Sequence, residues 1–372
     1  MDRLRILVFG VATRRAVMDY LRAVGLILFI LLAIAWTIDL ADNFAPIRAD
    51  AQAKGLGLHQ LLLPYLSYRT ADMVTRMLPM ACFFGVFLAE IARRSRLETV
   101  IFTAAGASPL RMLVSVLIFG LLIGGLQQRL EESWRPAAIA AQVELGHGSY
   151  AHRFAPNWTR HHAWFLNGDV AVRAQVLRAD PPALRDVLIF TGLQEERLRV
   201  IYAADRVDPL PERFQWQLSG VEIWNAAAGE ETSELAPDQT ITIDLIPEQL
   251  THYDIPGFYL KTEDLKQIAT MRGIGTSADA DTALWRRWTA WLLPGSLALL
   301  AVCLTKPGYS GRQINIPRLI ALAVLGYAAV VSIKVFWAVG ELGGLPAPIA
   351  VLGSVFFILG LSGVLVWRQM RG

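Results

Sequence analysis

Glu98 is the one acidic residue of a short basic segment, Arg93 to Pro109, where it stands among Arg93, Arg94 and Arg96. Leu97, Val100, Ile101 and Ala104 recur there at helical spacing, and Gly106 with the following Ser-Pro ends the pattern. The segment therefore reads as a short amphipathic helix over about 93–106. An apolar stripe with no local core to cover, beside a single carboxylate, suits docking in a groove of another protein, with Glu98 meeting a basic residue there. The arginines alone require no more than a basic connector. Two further cations, Arg76 and Lys334, lie in the outer parts of long apolar runs. A charge at that depth must snorkel, pair or meet a ligand. Together they place positive charge where an outer-leaflet headgroup phosphate would lie. Asp39, Asp42 and Glu341 are near the same surface, so pairing within the chain is the other reading. Glu90 is placed to partner Arg93 and Arg94.

Catalytic patterns do not emerge. Gly308-Tyr-Ser-Gly-Arg-Gln lacks the spacing and the Lys-Ser/Thr ending of a Walker A loop, and there is no Gly-x-Ser-x-Gly or His-Glu-x-x-His. His147, His152, His161 and His162 fall close together, but adjacent residues of a strand point to opposite faces and no acidic residue stands at ligand spacing. They read as surface or edge histidines. No metal or cofactor is expected, and energy for any work must come from a partner.

The elements that position these residues are membrane helices. Of 372 residues, 54% are hydrophobic, and they are clustered rather than dispersed. Crossing a bilayer takes about 20 helical residues. Six runs qualify: Tyr20–Leu40, Met73–Ala92, Leu110–Leu130, Trp285–Leu304, Ile316–Gly340 and Ala347–Trp367. Ala41–His59 reads as a short external stretch, and Leu61–Tyr68 as the outer start of a long second helix. The first run follows Arg3, Arg5, Arg14 and Arg15 and reads as a retained start helix rather than a cleaved signal. Lys and Arg concentrate in the N-terminal segment, in Arg93–Arg111, in Lys306–Arg318 and at Arg368 and Arg371. That side is expected to be cytoplasmic, with both termini on it, and the middle block periplasmic.

The middle block is patterned as strands: Ala163–Leu166 and Val170–Leu177 about an Asn167-Gly168 turn, then Asp186–Thr191, Arg197–Ala203, Phe214–Leu218, Val221–Trp224 and Thr240–Leu245. Cys82 and Cys303 both fall in apolar runs, so this block must be held by strand packing. The expected fold is a six-helix membrane bundle with an inserted all-β, jelly-roll-like sandwich of open strand order. Its parts are helices one to three with the cytoplasmic helix (1–135), the β domain (136–284) and helices four to six (285–372). Gly120, Gly124 and Gly125 suit close helix packing.

Particular motifs go further. Leu78-Pro-Met-Ala-Cys-Phe-Phe-Gly85 runs into Arg94-Ser-Arg-Leu-Glu98 and Ala104-Ala-Gly-Ala-Ser108, and Gly340-Glu-Leu-Gly-Gly-Leu-Pro346 precedes the last run. With the three-plus-three layout, these make the whole chain resemble the lipopolysaccharide-export ABC permeases, the LptF/LptG (YjgP/YjgQ) family. The short Gly-Leu-Pro turn looks more like the LptG type. The resemblance implies a non-enzymatic transport subunit in the bacterial inner membrane, paired with a second, LptF-like permease on a cytoplasmic LptB-like ATPase dimer that uses the ATP. It implies lipopolysaccharide taken from the outer leaflet, passed through periplasmic jelly rolls to a bridge protein, and a single-span LptC-like subunit near gates made by spans one and five. No nucleic-acid partner is expected.

By position, Glu98 matches the acidic residue that meets the ATPase, with Arg94, Arg96 and Gly106 in the same motif. Leu97 departs from the usual Ser before that Glu. Trp36 and Asp39 stand where members often carry a basic residue for lipid A phosphates, which makes Arg76 and Lys334 the substitutes, with Trp36 and Phe336 as further lipid contacts. Rival expectations are a membrane-anchored envelope scaffold or sensor, and an ABC permease for another lipid or a lipoprotein.

Overall fold

The computed structural model describes residues 10–98, 101, 104, 110–193, 198–212, 214–225, 234–236, 238–269, 277–310 and 313–371. The chain divides into two compact units, Met1–Gly148 with Thr282–Gly372, and Ser149–Asp281.

In the first unit the helices outrun the apolar runs that seed them. α1 covers Val11–Ala53 and α2 Leu58–Ser95. The expected external stretch after the first run is thus helical as far as Ala53, while Leu61–Tyr68 does open a long second helix. α3 (Leu110–Arg129) passes through a π turn, Leu130–Trp134, into α4 (Arg135–Leu145). That continuation moves the start of the second unit from the expected 136 to Ser149. The fourth run is not one straight helix. It breaks at Ala290–Trp291 between α8 (Ser277–Thr289) and α9 (Leu292–Thr305), which are bent by 66°. Pro294 explains the place: it has no N–H for the carbonyl of Ala290 and its ring crowds that carbonyl. α10 (Ile316–Glu341) and α11 (Ala347–Arg371) complete the bundle. Among the described residues five helices are long and apolar enough to span a membrane, six if the bent pair counts as one span.

Small residues let these helices close on one another. A Cβ at Gly85 would lie 2.6 Å from the Cα of Val24, so α1 and α2 cross backbone to backbone there. Gly120 opposes Gly295, with 2.7 Å from its would-be Cβ to the partner Cα; Gly124 faces the Trp291 carbonyl, and Gly326 the ring of Phe83. Gly125 has nothing within 4 Å and takes no part. Packing is uneven: 56% of the apolar window of α2 is buried inside the chain, against 17% for α1 and 28% for α10. α2 is the hub, and α1 and α10 keep broad apolar faces for lipid or a partner.

The second unit carries an antiparallel meander in the order β1 (Ala163–Asn167), β2 (Val170–Leu177), β3 (Ala183–Thr191), β4 (Val200–Pro209), β5 (Gln215–Asn225) and β6 (Glu234–Ala236), with β7 (Gln239–Thr242) also on β5. The first turn is Gly168-Asp169 rather than Asn167-Gly168, because Asn167 pairs with Val170. The two expected strands Phe214–Leu218 and Val221–Trp224 are one strand, β5. Gly220 keeps that strand running at φ +66, opposite the Asp205 carboxylate, where a side chain would clash. Short helices α5 (Gly148–Phe154), α6 (Pro247–Thr251) and α7 (Thr262–Ala269) flank the sheet. The core is built from residues such as Phe165, Val172, Ile189, Trp216 and Leu218, and both cysteines lie buried in the other unit.

Two outcomes follow from this packing. Gly85→Ala meets backbone, which cannot yield as a side chain can, and is expected to destabilise the bundle by about 1–3 kcal/mol, read as an earlier thermal transition in detergent. In the second unit, burial holds the imidazole of His252 below its ordinary range, against the pull of Asp264 at 3.8 Å. The unfolded chain then takes up this proton first, so the unit loses stability as pH falls below about 6.5. Faster amide exchange across β1–β5 at pH 5.5 than expected from the intrinsic rates would record it; His252→Gln should flatten the effect.

Candidate coupling and lipid-handling site

At the inner end of α2, Glu90 is fully buried. It is tolerable there because partners surround it. Tyr20 of α1 donates its hydroxyl to Oε1 at 2.5 Å, Arg93 Nη1 donates to the same oxygen at 2.6 Å, and Arg94 Nε lies 3.8 Å from Oε2. The expected pairing of Glu90 with both arginines is therefore present. Arg93 also donates to the Tyr20 hydroxyl at 3.1 Å. Its Nε stands 3.5 Å from Glu98 Oε2, and Arg15 Nη2 meets Glu98 Oε1 at 3.0 Å.

Glu98 therefore has two cations of its own chain, one at the base of α1 and one at the base of α2. Leu97 turns the chain back to make this possible, at φ +59 just past the helix end, with its N–H on the Arg94 carbonyl at 2.9 Å. Arg96 is exposed. Arg93–Ser95 of the expected 93–106 helix are the end of α2, and residues 99, 100, 102, 103 and 105 with Gly106 lie outside the described residues.

A second charged cluster occupies the outer end. Asp39 accepts from Tyr65 and from Arg69, both at 2.7 Å. Asp72, only 2% exposed, accepts from Arg76 Nε at 2.9 Å and from Arg135 Nε at 2.8 Å, and Arg69 stands 3.6 Å away. Arg135 also reaches Glu131 at 3.2 Å. Arg76, one of the two phosphate candidates, is thus committed to a carboxylate. Lys334 is exposed, and no ion pair joins it among the described residues. Trp36 donates to the Thr70 hydroxyl at 3.2 Å, and Phe336 packs against Phe357 with centroids 6.3 Å apart, so both are built into helix pairs. Near the same end Arg286 bonds Glu341 at 2.8 Å and covers the Trp337 ring at 4.0 Å.

The levels of the two cations agree. Phe83 meets Gly326 where α2 and α10 touch. Arg76 lies seven residues outward along α2 and Lys334 eight outward along α10, about 10–12 Å at 1.5 Å per residue. Toward the inner end an apolar groove of about 480 Å³ opens between α1, α2 and α10, lined by Ile27, Leu31, Phe84, Leu88, Leu319 and Ala323 among others. Of the histidines, His147 lies 2.9 Å from Asp50 and, in the other unit, His162 2.6 Å from Asp186; among the described residues no three potential ligands gather into a metal site.

Sequence reasoning missed Asp72, Arg135 and Gln127. Asp72 and Arg135 lie just outside the apolar runs and pair across 63 positions, so no local window joins them. Gln127 has a more specific purpose. Pro79 leaves the carbonyl of Thr75 without its i+4 donor, and the Gln127 amide supplies one at 3.1 Å. The signal was legible in principle: a proline inside a membrane helix requires a replacement donor somewhere.

Residues 16–368 match the family described as "Lipopolysaccharide export system permease LptF/LptG", a description that takes in both paralogues. No curated protein matches the chain. The outer cluster yields a clear expectation. Asp72→Asn leaves the buried Arg135 with Glu131 alone and should cost up to about 3–5 kcal/mol, measured as loss of folded protein in detergent, with Asp72→Asn/Arg135→Gln recovering part of it.

Proposed function

We propose, for a chain that belongs to the lipopolysaccharide export permease family LptF/LptG, that it forms one half of an ABC transporter driven by a separate cytoplasmic ATPase dimer. As a permease it is a transport subunit rather than a catalytic enzyme, and it is a multi-pass protein of the inner membrane. Two such permeases, this one and an LptF- or LptG-like partner, would enclose the glycolipid. The β unit would hand it to a periplasmic bridge, with an LptC-like single-span subunit beside the gate.

The observation that supports this reading is the run of contacts Glu98–Arg93–Glu90–Tyr20. It ties the start of the coupling segment to two spans at once. ATP-driven closure of the ATPase dimer displaces that segment, and Glu98 delivers the displacement to α1 through Arg15 and to α2 through Arg93. The Arg15 side chain is 62% exposed, so a basic residue of the ATPase can compete with it for Glu98. The exposed faces of α1 and α10 then narrow the cavity between the permeases and expel the lipid outward. Phosphates of an outer-leaflet glycolipid would lie at the level of Lys334, which is uncommitted among the described residues, with acyl chains pointing inward toward the apolar groove.

Coupling free energies of 1–3 kcal/mol correspond to about 5–150-fold; Glu98→Ala in the assembled complex should lower lipopolysaccharide release from proteoliposomes within that range. Glu90→Gln should do the same with the ATPase still bound. Unchanged assembly together with unchanged release in Glu98→Ala would sink the coupling mechanism. Lys334→Gln should reduce stimulation of ATP hydrolysis by lipopolysaccharide more than Arg76→Gln does, since Arg76 is already neutralised by Asp72.

A further inference from the structure

Within the second unit a pocket of about 520 Å³ opens between the segment leading into β1 and the loop after α6. Its walls carry Arg153, Arg160, Arg178, His161 and His162, against one carboxylate, Asp254. The positions of these groups are built, not incidental. The Thr159 N–H donates to the Val176 carbonyl at 2.9 Å, and its hydroxyl accepts from the Val176 N–H at 3.0 Å and donates to the His161 carbonyl at 2.9 Å. The Arg178 N–H donates to the Asn157 carbonyl at 3.3 Å. Residues 157–161 are thereby pinned along the end of β2, which sets Arg160 and Arg178 on adjacent stretches of backbone. Arg153 comes from α5 and is steadied by Tyr259, with a bond to the hydroxyl at 3.0 Å and the guanidinium 5.2 Å from the ring centroid. Across the pocket, Tyr253 packs edge-on against Phe165 at 5.4 Å and fixes that wall to the sheet core.

The charges are unmatched. Among the described residues none of the three guanidiniums has a carboxylate at ion-pair distance. The Nε–H of Arg178 is buried and meets no acceptor. A buried charged donor left in that state is costly unless an acceptor arrives. Planar guanidinium forks are matched to the oxygens of a phosphate. His162 is occupied by Asp186 at 2.6 Å, which leaves the arginines and His161 as the available donors.

We propose that this pocket is a binding site for a phosphate group, held by Arg160 and Arg178 with Arg153 adding charge at the rim. The site itself stands on the pocket alone. Its source rests on the transport reading: either the headgroup phosphates of the transported glycolipid or free phosphate in the surrounding solution.

Titration of the full chain in maltoside micelles with inorganic pyrophosphate tests the site. Saturable binding is expected, weakened at least about tenfold in Arg160→Gln/Arg178→Gln, as the loss of charged hydrogen bonds requires, with the thermal transition unchanged. Arg206→Gln, on β4 and paired with Asp208 at 2.7 Å, should bind as the unsubstituted chain does. No saturable binding, or binding that survives the double substitution, overturns the proposal.

A photoreactive residue at Asn157, in proteoliposomes holding intact or dephosphorylated glycolipid, separates the sources. Adducts with the intact lipid alone assign the headgroup. Pyrophosphate binding without any adduct assigns free phosphate, and leaves the transport reading to be judged by Glu98→Ala. Equal adducts with both lipids overturn phosphate recognition of the lipid.

Discussion

The carbonyl of Thr75 loses its helical donor to Pro79 in surroundings without water, and the Gln127 amide of a neighbouring helix restores it. Much of the bundle is arranged about the helix so repaired. On the outer side of Pro79, α2 presents Asp72 and Arg76 to the charged cluster; on the inner side it presents Phe83 to Gly326 and Gly85 to Val24. Because Gln127 is nearly fully buried, this bond also ties α3 to α2 at that level. One hydrogen bond thus relates the level of the charges to the level of the packing.

Charge in this unit is concentrated at the two ends of α2 and is absorbed there. Glu90 with Tyr20 at one end, and Asp39 with Tyr65 and Arg69 at the other, fasten α1 to α2 top and bottom, with the Gly85–Val24 crossing between. Two long helices joined at three levels move together. On the coupling proposed above, a push at Arg15 and Arg93 would therefore arrive at the outer surface as displacement of a pair rather than as bending of one helix. α10 touches this pair near Phe83 and Phe84.

The apolar runs and basic clusters were legible in sequence because both are local properties of composition, and they place the long membrane helices and the inserted strand block, but not α4 to α7. Not all ends were legible, since a helix continues past its apolar run wherever side chains such as Ile47 and Arg135 find partners. The break at Ala290 had a visible cause in Pro294, yet hydropathy is blind to it. Ser219-Gly220 has the composition of a turn, and only the pairing of β5 with β4 on both sides of it shows a continuous strand. At the site, Glu98 was recognisable from its setting among arginines. Its engagement by Arg15, 83 positions away, was not. Arg76 announced itself as an intramembrane cation, but the carboxylate that neutralises it lies four residues back, beyond the run that drew attention.

The π turn at Leu130–Trp134 has a meaning in the currency of genes. Such a turn takes one residue more into the rise of an α turn, whereas one residue added to a helix that stays α rotates everything beyond it by about 100°. Arg135, the next residue along, meets Asp72 at 2.8 Å straight after it. The wide turn absorbs its additional residue, so the helix beyond keeps its azimuth. A codon gained or lost where the helix stays α would instead carry the guanidinium about a quarter-turn away from its carboxylate.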